Sequence, residues 1–114
     1  DAGVRLSLGS DIGAGYERSM VRVARAMIEA AFYAGSRAPD VSHAWWMITQ
    51  GNASALGWER AGALKSGYDA DILLCRPDTQ WQMSAEPLGR LMFGWDDRWL
   101  KTVLLRGEPG HVVA

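Results

Sequence analysis

Apolar and polar positions alternate over residues 4–8, VRLSL, a period-two signal that predicts a strand. Val4, Leu6 and Leu8 then share one face, and Arg5, Ser7, Gly9 and Asp11 the other if the strand runs on to residue 11. Gly9, Gly13 and Gly15 break the alternation and predict a flexible loop. From about Glu17 to Ala34 the period lengthens. Met20, Val23, Met27 and Ala31 recur at three and four residues, with Arg18, Arg22, Arg25 and Glu29 on another face, so the reading is an amphipathic helix. Gly35 stands where a left-handed cap would end it. After a connector with Pro39, Ser42 is the expected N-cap of a second helix through Ile48. A glycine-interrupted piece continues to Leu56, and Gly57 closes it.

The second half changes character. Lys65–Tyr68 reads as a turn and Ala70–Leu74 as a strand closed by Pro77. Residues 79–101 scatter tryptophans among polar groups, with a short helix at Leu88–Phe93. Lys101–Leu105 predicts a strand, Arg106–Gly110 a turn, and His111–Val113 a last strand. The order is therefore strand, two helices, then two or three strands. A lone strand feeding a helix belongs to a parallel sheet whose other strands this chain does not contain.

Composition narrows the function classes. The 114 residues are 48% hydrophobic and 22% charged with a formal net charge of −1, which excludes wholesale disorder and gives no reason to expect a nucleic-acid binder. No apolar run of membrane-spanning length and no export signal appears, so the expectation is a cytoplasmic protein without a membrane partner. The single Cys75, within Ile72–Cys75, excludes a disulfide and any Cys-x-x-Cys site and reads as a small buried hydrophobe. Six tryptophans are many for this length, and two histidines are few for a metalloenzyme. The sequence opens on Asp1 rather than Met, so the expectation is either a processed product or a piece of a longer polypeptide.

The loop Gly9-Ser10-Asp11-Ile12-Gly13-Ala14-Gly15, between a strand and a helix, has two chemical readings. Glycines before a helix N-terminus suit a phosphate, as in dinucleotide-binding folds. Against this, the helix is followed by SRAPDVSHAWW rather than a second strand, and no Tyr-x-x-x-Lys pair occurs. A Walker loop would need Gly-Lys-Ser/Thr, which is missing. The other reading centres on Asp11. At the C-terminal end of a barrel strand, where barrel enzymes place their chemistry, its carboxylate could bind a metal and carry a proton. An Asp beside glycine also serves simply to turn a loop.

Three segments carry a family resemblance. AGVRLSLGSDIGAG with the following Ser19-Met20 resembles the last barrel strand and loop of the amidohydrolase superfamily. Ile48–Gly57, ITQGNASALG, looks like that family's helical AT-x-x-x-A-x-x-LG segment. Ala61–Leu74 resembles the GSLEVGKDADLVL stretch that enters its small β domain. Within the superfamily the sequence is most similar to guanine deaminases: LGSDIGAG matches their LGTDVAGG, and Gly94–Val103 resembles their GDDRNIEEVYV, with Trp95 inserted.

The resemblance implies an α/β fold class: the last strand–helix unit of a (β/α)8 metallo-hydrolase barrel, then a helix and part of a small β-sandwich domain. Residues 1–60 would end the barrel domain and residues 61–114 would form part of the β domain. A whole barrel typically needs about 250 residues, so the chain would be the final part of such an enzyme. In the complete protein the resemblance implies zinc-dependent hydrolysis of guanine to xanthine and ammonia. Asp11 would be both metal ligand and catalytic proton carrier, and the other ligands would lie upstream. His43 and His111 match no family ligand and read as surface and sheet residues. Asp69 and Asp71 read as structural, and Asp96-Asp97-Arg98 as a polar turn with a local salt bridge. The expected partners are a small purine and either a second copy or the upstream polypeptide; the chain alone is expected to be inactive. Alternatives are a related aminohydrolase acting on 8-oxoguanine or a triazine, and a non-catalytic oligomeric module.

Overall fold

The computed structural model describes residues 3–110. Helix α1 (Met20–Tyr33) ends as expected: Gly35 takes φ 64°, and the Ser36 and Gly35 amides turn back to donate to Ala31 and Phe32, each at 3.0 Å. This left-handed closure is open to glycine without steric cost. The buried stripe is displaced from the predicted one. Val21 and Ala24 face inward, with Ile28 and, of the predicted stripe, Met27 packed beside them, rather than Met20, Val23 and Ala31. Apolar residues occur on both registers of this helix, so its partners choose the face. Ala24, fully buried, presents no bulk against the neighbouring helices.

Helix α2 (Val41–Trp46) is capped by Asp40, not Ser42: the Asp40 carboxylate accepts the His43 amide at 2.7 Å. Both residues are good caps, and the extended backbone of Asp40 (φ −70°, ψ 163°) decides between them. The helix widens into a π-helical turn over Met47–Gly51 and continues as α3 (Asn52–Ala55), ending near Gly57 at φ 76°. The Thr49 hydroxyl donates back to the Trp45 carbonyl at 2.8 Å. At Gly51 a Cβ would stand 2.8 Å from the Trp46 ring, so the absence of a side chain is what lets the turn close.

The three strands among the described residues form one antiparallel sheet in the order β1 (Ile72–Cys75), β2 (Leu100–Leu105), β3 (Glu108–Pro109). Ile72 pairs with Leu104 and Leu74 with Thr102, with an irregularity before Cys75. The turn is shorter than the predicted Arg106–Gly110. Arg106 (φ 51°) and Gly107 (φ 85°) make it, and Glu108–Pro109 already pairs back with β2. Such consecutive positive φ values match the twist of a tight hairpin. The strand expected at His111–Val113 lies outside the described residues. Cys75 is exposed, contrary to expectation; among the described residues β1 is an edge strand of the sheet.

Between β1 and β2 the chain returns to the helices. Short 3-10 turns at Trp81–Met83 and Asp97–Trp99 flank helix α4 (Pro87–Phe93), which begins on a proline and packs on α1 and α2. The core is Val21 and Ala24 of α1, Ala44 of α2 and Met92 of α4, bordered by Leu8, Trp45 and Trp95. Trp45, Trp95 and Trp99 meet edge to face at 6.3 and 5.9 Å. Each indole N–H is satisfied, by the Leu88 carbonyl, Asp97 and Asp78 respectively. Half of the tryptophans are thus internal structure, whereas Trp46 and Trp58 are exposed.

Residues 4–8 belong to no sheet among the described residues, so the predicted first strand does not form a ladder. A strand requires a neighbour for its backbone groups, and β1–β3 lie in a sheet of their own. Val4 and Leu6 are exposed, while Leu8 reaches the helical core.

Candidate active site

The glycine loop is fixed at both ends. On its N-terminal side, the Asn52 side chain takes both backbone groups of Leu8: Leu8 N–H donates to Asn52 Oδ1 and Asn52 Nδ2 donates to the Leu8 carbonyl, each at 2.8 Å. On the other side, the Asp11 carbonyl accepts the amides of Ala14 at 3.0 Å and Gly15 at 2.6 Å. A Cβ on Gly15 would lie 2.5 Å from the Ser10 carbonyl oxygen, so this turn closes only around glycine. Asp11 itself sits at φ 47°, a left-handed conformation that Asp tolerates better than most residues. Its backbone makes the turn. Its carboxylate is exposed and engages no hydrogen bond or ion pair among the described residues.

The segment just before α1 already carries a negative group. Glu17 Oε1 accepts the amides of Arg18 at 2.9 Å and Ser19 at 2.8 Å. The Ser19 amide above all, and then the Arg22 guanidinium, hold the Glu17 carboxyl below the usual carboxylate range. The helix begins at Met20, five residues beyond Gly15, and the Glu17 carboxylate stands between the glycine loop and the helix. That geometry disfavours the nucleotide reading of the loop. The open cleft of about 300 Å³ beside it is lined by Ser10, Gly15 and the charged face of α1, but not by Asp11. Its charges pair with one another, Arg22 with Glu17 at 3.5 Å and Arg25 with Glu29 at 2.8 Å.

The singled-out aspartates of the second half make structural contacts, as expected. Asp69 pairs with Arg60 at 3.2 Å, and Asp71 accepts the Arg106 amide of the hairpin at 2.8 Å. Asp96 grips Arg98 through both carboxylate oxygens. His43 is exposed, its ring tilted over Trp46 at 5.3 Å. His111 lies outside the described residues. No three His, Cys, Asp or Glu side chains converge among the described residues. A catalytic zinc needs three or more protein ligands, so the donors among the described residues do not fit a complete zinc site, and an exposed carboxylate such as that of Asp11 would supply at most one ligand.

Asn52 is the residue that sequence reading passed over. It lies within the family-like helical segment, and the signal for it was a polar side chain between buried Gly51 and Ala53. A half-buried amide in such a setting requires partners.

The comparisons extend the resemblance over almost the whole chain. The amidohydrolase family model matches residues 1–110. Guanine deaminase from E. coli superposes with a TM-score of 0.85 at 25% identity, covering 97% of this chain and 28% of that one. Guanine deaminase from C. acetobutylicum, solved with guanine bound in its active site, gives 0.73 at 27% identity, covering 94% and 27%. No curated protein matches the sequence. The chain spans little more than a quarter of the length of these two enzymes. With its mixed helix–strand fold and a family match that leaves out only the last four residues, the chain belongs to the amidohydrolase family.

Proposed function

We propose that the chain is the C-terminal part of a guanine deaminase-like hydrolase, to which it contributes Asp11. The observation that carries this reading is the Asp11 carboxylate, exposed and unengaged on a loop clamped from both sides. Similarity to two guanine deaminases supports the substrate. Residues 1–60 would complete a barrel contributed mostly by the rest of the polypeptide, and residues 61–114 would belong to its small β domain. The exposed apolar residues would pack against that remainder or a second copy.

In the complete enzyme water adds to the guanine carbon that bears the exocyclic amine. The carbon–nitrogen bond breaks, and the water's protons end on the oxopurine and on the departing ammonia. A bound zinc supplies acidified water for such chemistry. Asp11 would offer one carboxylate oxygen as a metal ligand. On the other it would accept a proton and return it to the leaving amine, a general acid–base role.

The test is guanine hydrolysis by the complete polypeptide. Xanthine and ammonia are expected in equal amounts, and Asp11→Asn is expected to lower kcat by about 10³-fold or more, near the upper range of acid–base catalysis. An Asp11→Asn enzyme of full activity would sink the role of Asp11. An enzyme that leaves guanine untouched but hydrolyses 8-oxoguanine or an aminotriazine would move the substrate. The isolated 114 residues are expected to show no turnover.

A further inference from the structure

We infer that Arg22 is a positioning residue for Asp11, tying the exit of its loop to the C-terminal turn at Asp97; the inference rests on the proposed role of that carboxylate. The chain leaves Asp11 through the turn that its carbonyl closes on the Ala14 and Gly15 amides, and then reaches Glu17. Glu17 Oε1 accepts the Arg18 and Ser19 amides at 2.9 and 2.8 Å, so its carboxylate is fixed to the backbone that leads into α1. The other oxygen faces Arg22, whose Nη1 lies 3.5 Å from Glu17 Oε2. The same Nη1 lies 3.7 Å from Asp97 Oδ2. One cation thus stands between two carboxylates that are distant in sequence. Removing it leaves two negative groups on either side of one point, and they repel.

Asp97 is anchored in its turn. Its Oδ1 accepts the Trp95 indole N–H at 2.8 Å, and Trp95 meets Trp45 and Trp99 edge to face. Each carboxylate is therefore held to its own segment by a second contact, and Arg22 acts between the segments. Arg25 makes another tie to the same stretch. Its Nη1 donates to the Phe93 carbonyl at 3.2 Å, and its guanidinium lies over the Phe93 ring, 5.6 Å from the centroid. Residues three apart share one side of a helix, so that side of α1 meets residues 93–97 while Val21 and Ala24 enter the core. The periodic pattern marks it only as a charged face. None of these contacts requires a segment outside this chain.

The experiment uses the complete enzyme. Arg22→Met keeps the apolar stem and removes the charge. It is expected to lower kcat for guanine by about tenfold with KM within about twofold, the lower end of what displacing a catalytic group or its outer support costs. A single nitrogen serves both carboxylates, so the fork of arginine is not needed and Arg22→Lys is expected to keep kcat within about twofold. Asp97→Asn keeps an oxygen for Trp95 but drops the charge facing Arg22, and is expected to lower kcat by a smaller factor. Added to Arg22→Met it is expected to bring no further loss, since groups that act as a unit are not additive. A pair that served folding alone would shift the melting temperature and leave the kcat of the folded enzyme unchanged. Unchanged kcat in Arg22→Met, a Lys variant as slow as the Met one, or a full further loss in the double variant overturns the positioning role while leaving Asp11 in place. Full activity of Asp11→Asn alone overturns the reading of Asp11 and the positioning role together.

Discussion

Asp96 shows how one side chain can tie stability to pH. Its carboxylate accepts the Arg98 guanidinium and, at 2.9 Å, the Arg98 amide that opens the last 3-10 turn. Those hydrogen bonds, the side-chain ones first, lower its pKa from 3.8 to about 2. A depressed carboxylate pKa means that the folded state prefers the ionised form. The stabilisation is complete above the unfolded value near pH 4 and fades as pH falls towards about 2. Asp96→Asn is therefore expected to lower the melting temperature near neutral pH. Its deficit against the unchanged protein should narrow between about pH 4 and pH 2, which thermal melts across that range will read. A constant deficit would mean that the charge is not what holds the turn. This local pairing was legible in the sequence, because both partners lie within two residues of one another.

At the scale of the elements, the tryptophan cluster joins the sheet to the helices. Trp99 is 4% exposed at the start of β2, meets Trp95 edge to face and donates its indole N–H to Asp78 at 2.8 Å. Trp99→Ala is expected to destabilise the complete protein by about 3–5 kcal/mol, the usual range for losing a buried aromatic. Denaturant titration would measure it, and a loss below about 1 kcal/mol would show that the cluster collapses around the gap. The helices and the strands β1 and β2 followed from spacing, whereas the alternation over residues 4–8 did not yield a ladder among the described residues. Which face of α1 turned inward did not follow from spacing, since apolar residues occupy two registers and only Ala24 against its neighbours selects one. The π-helical turn left no periodic mark either. Thr49 and Gly51 are ordinary helix residues until their backbone and ring contacts are known.

The molecule as a whole is under-buried for its size. Its accessible surface is 8679 Å², about 2,500 Å² more than a folded monomer of this mass usually exposes. Its radius of gyration is 15.0 Å, where about 13 Å is typical of a compact domain. Val4, Leu6, Phe32, Trp58 and Leu64 are each more than 60% exposed. An excess of that order matches an obligate interface. The isolated chain is expected to unfold without a cooperative transition and to bind a hydrophobic dye such as ANS, as loosely packed states do. A sharp two-state melt with no dye binding would show that the 114 residues hold their fold unaided. No helix among the described residues is long and apolar enough to cross a membrane.

The sequence by itself determined the order of α1, α2, β1, α4 and β2, the left-handed closure at Gly35, the pairing within Asp96-Asp97-Arg98 and the family motifs around Asp11. Each rests on residues a few positions apart, where spacing and backbone preference decide the outcome. Tertiary structure alone decided the inward face of α1, the Asp40 cap, the exposure of Cys75 and the clamp of Asn52 on Leu8. Those depend on which distant segments meet, and a backbone polar group takes its donor or acceptor from whatever segment the fold brings to it.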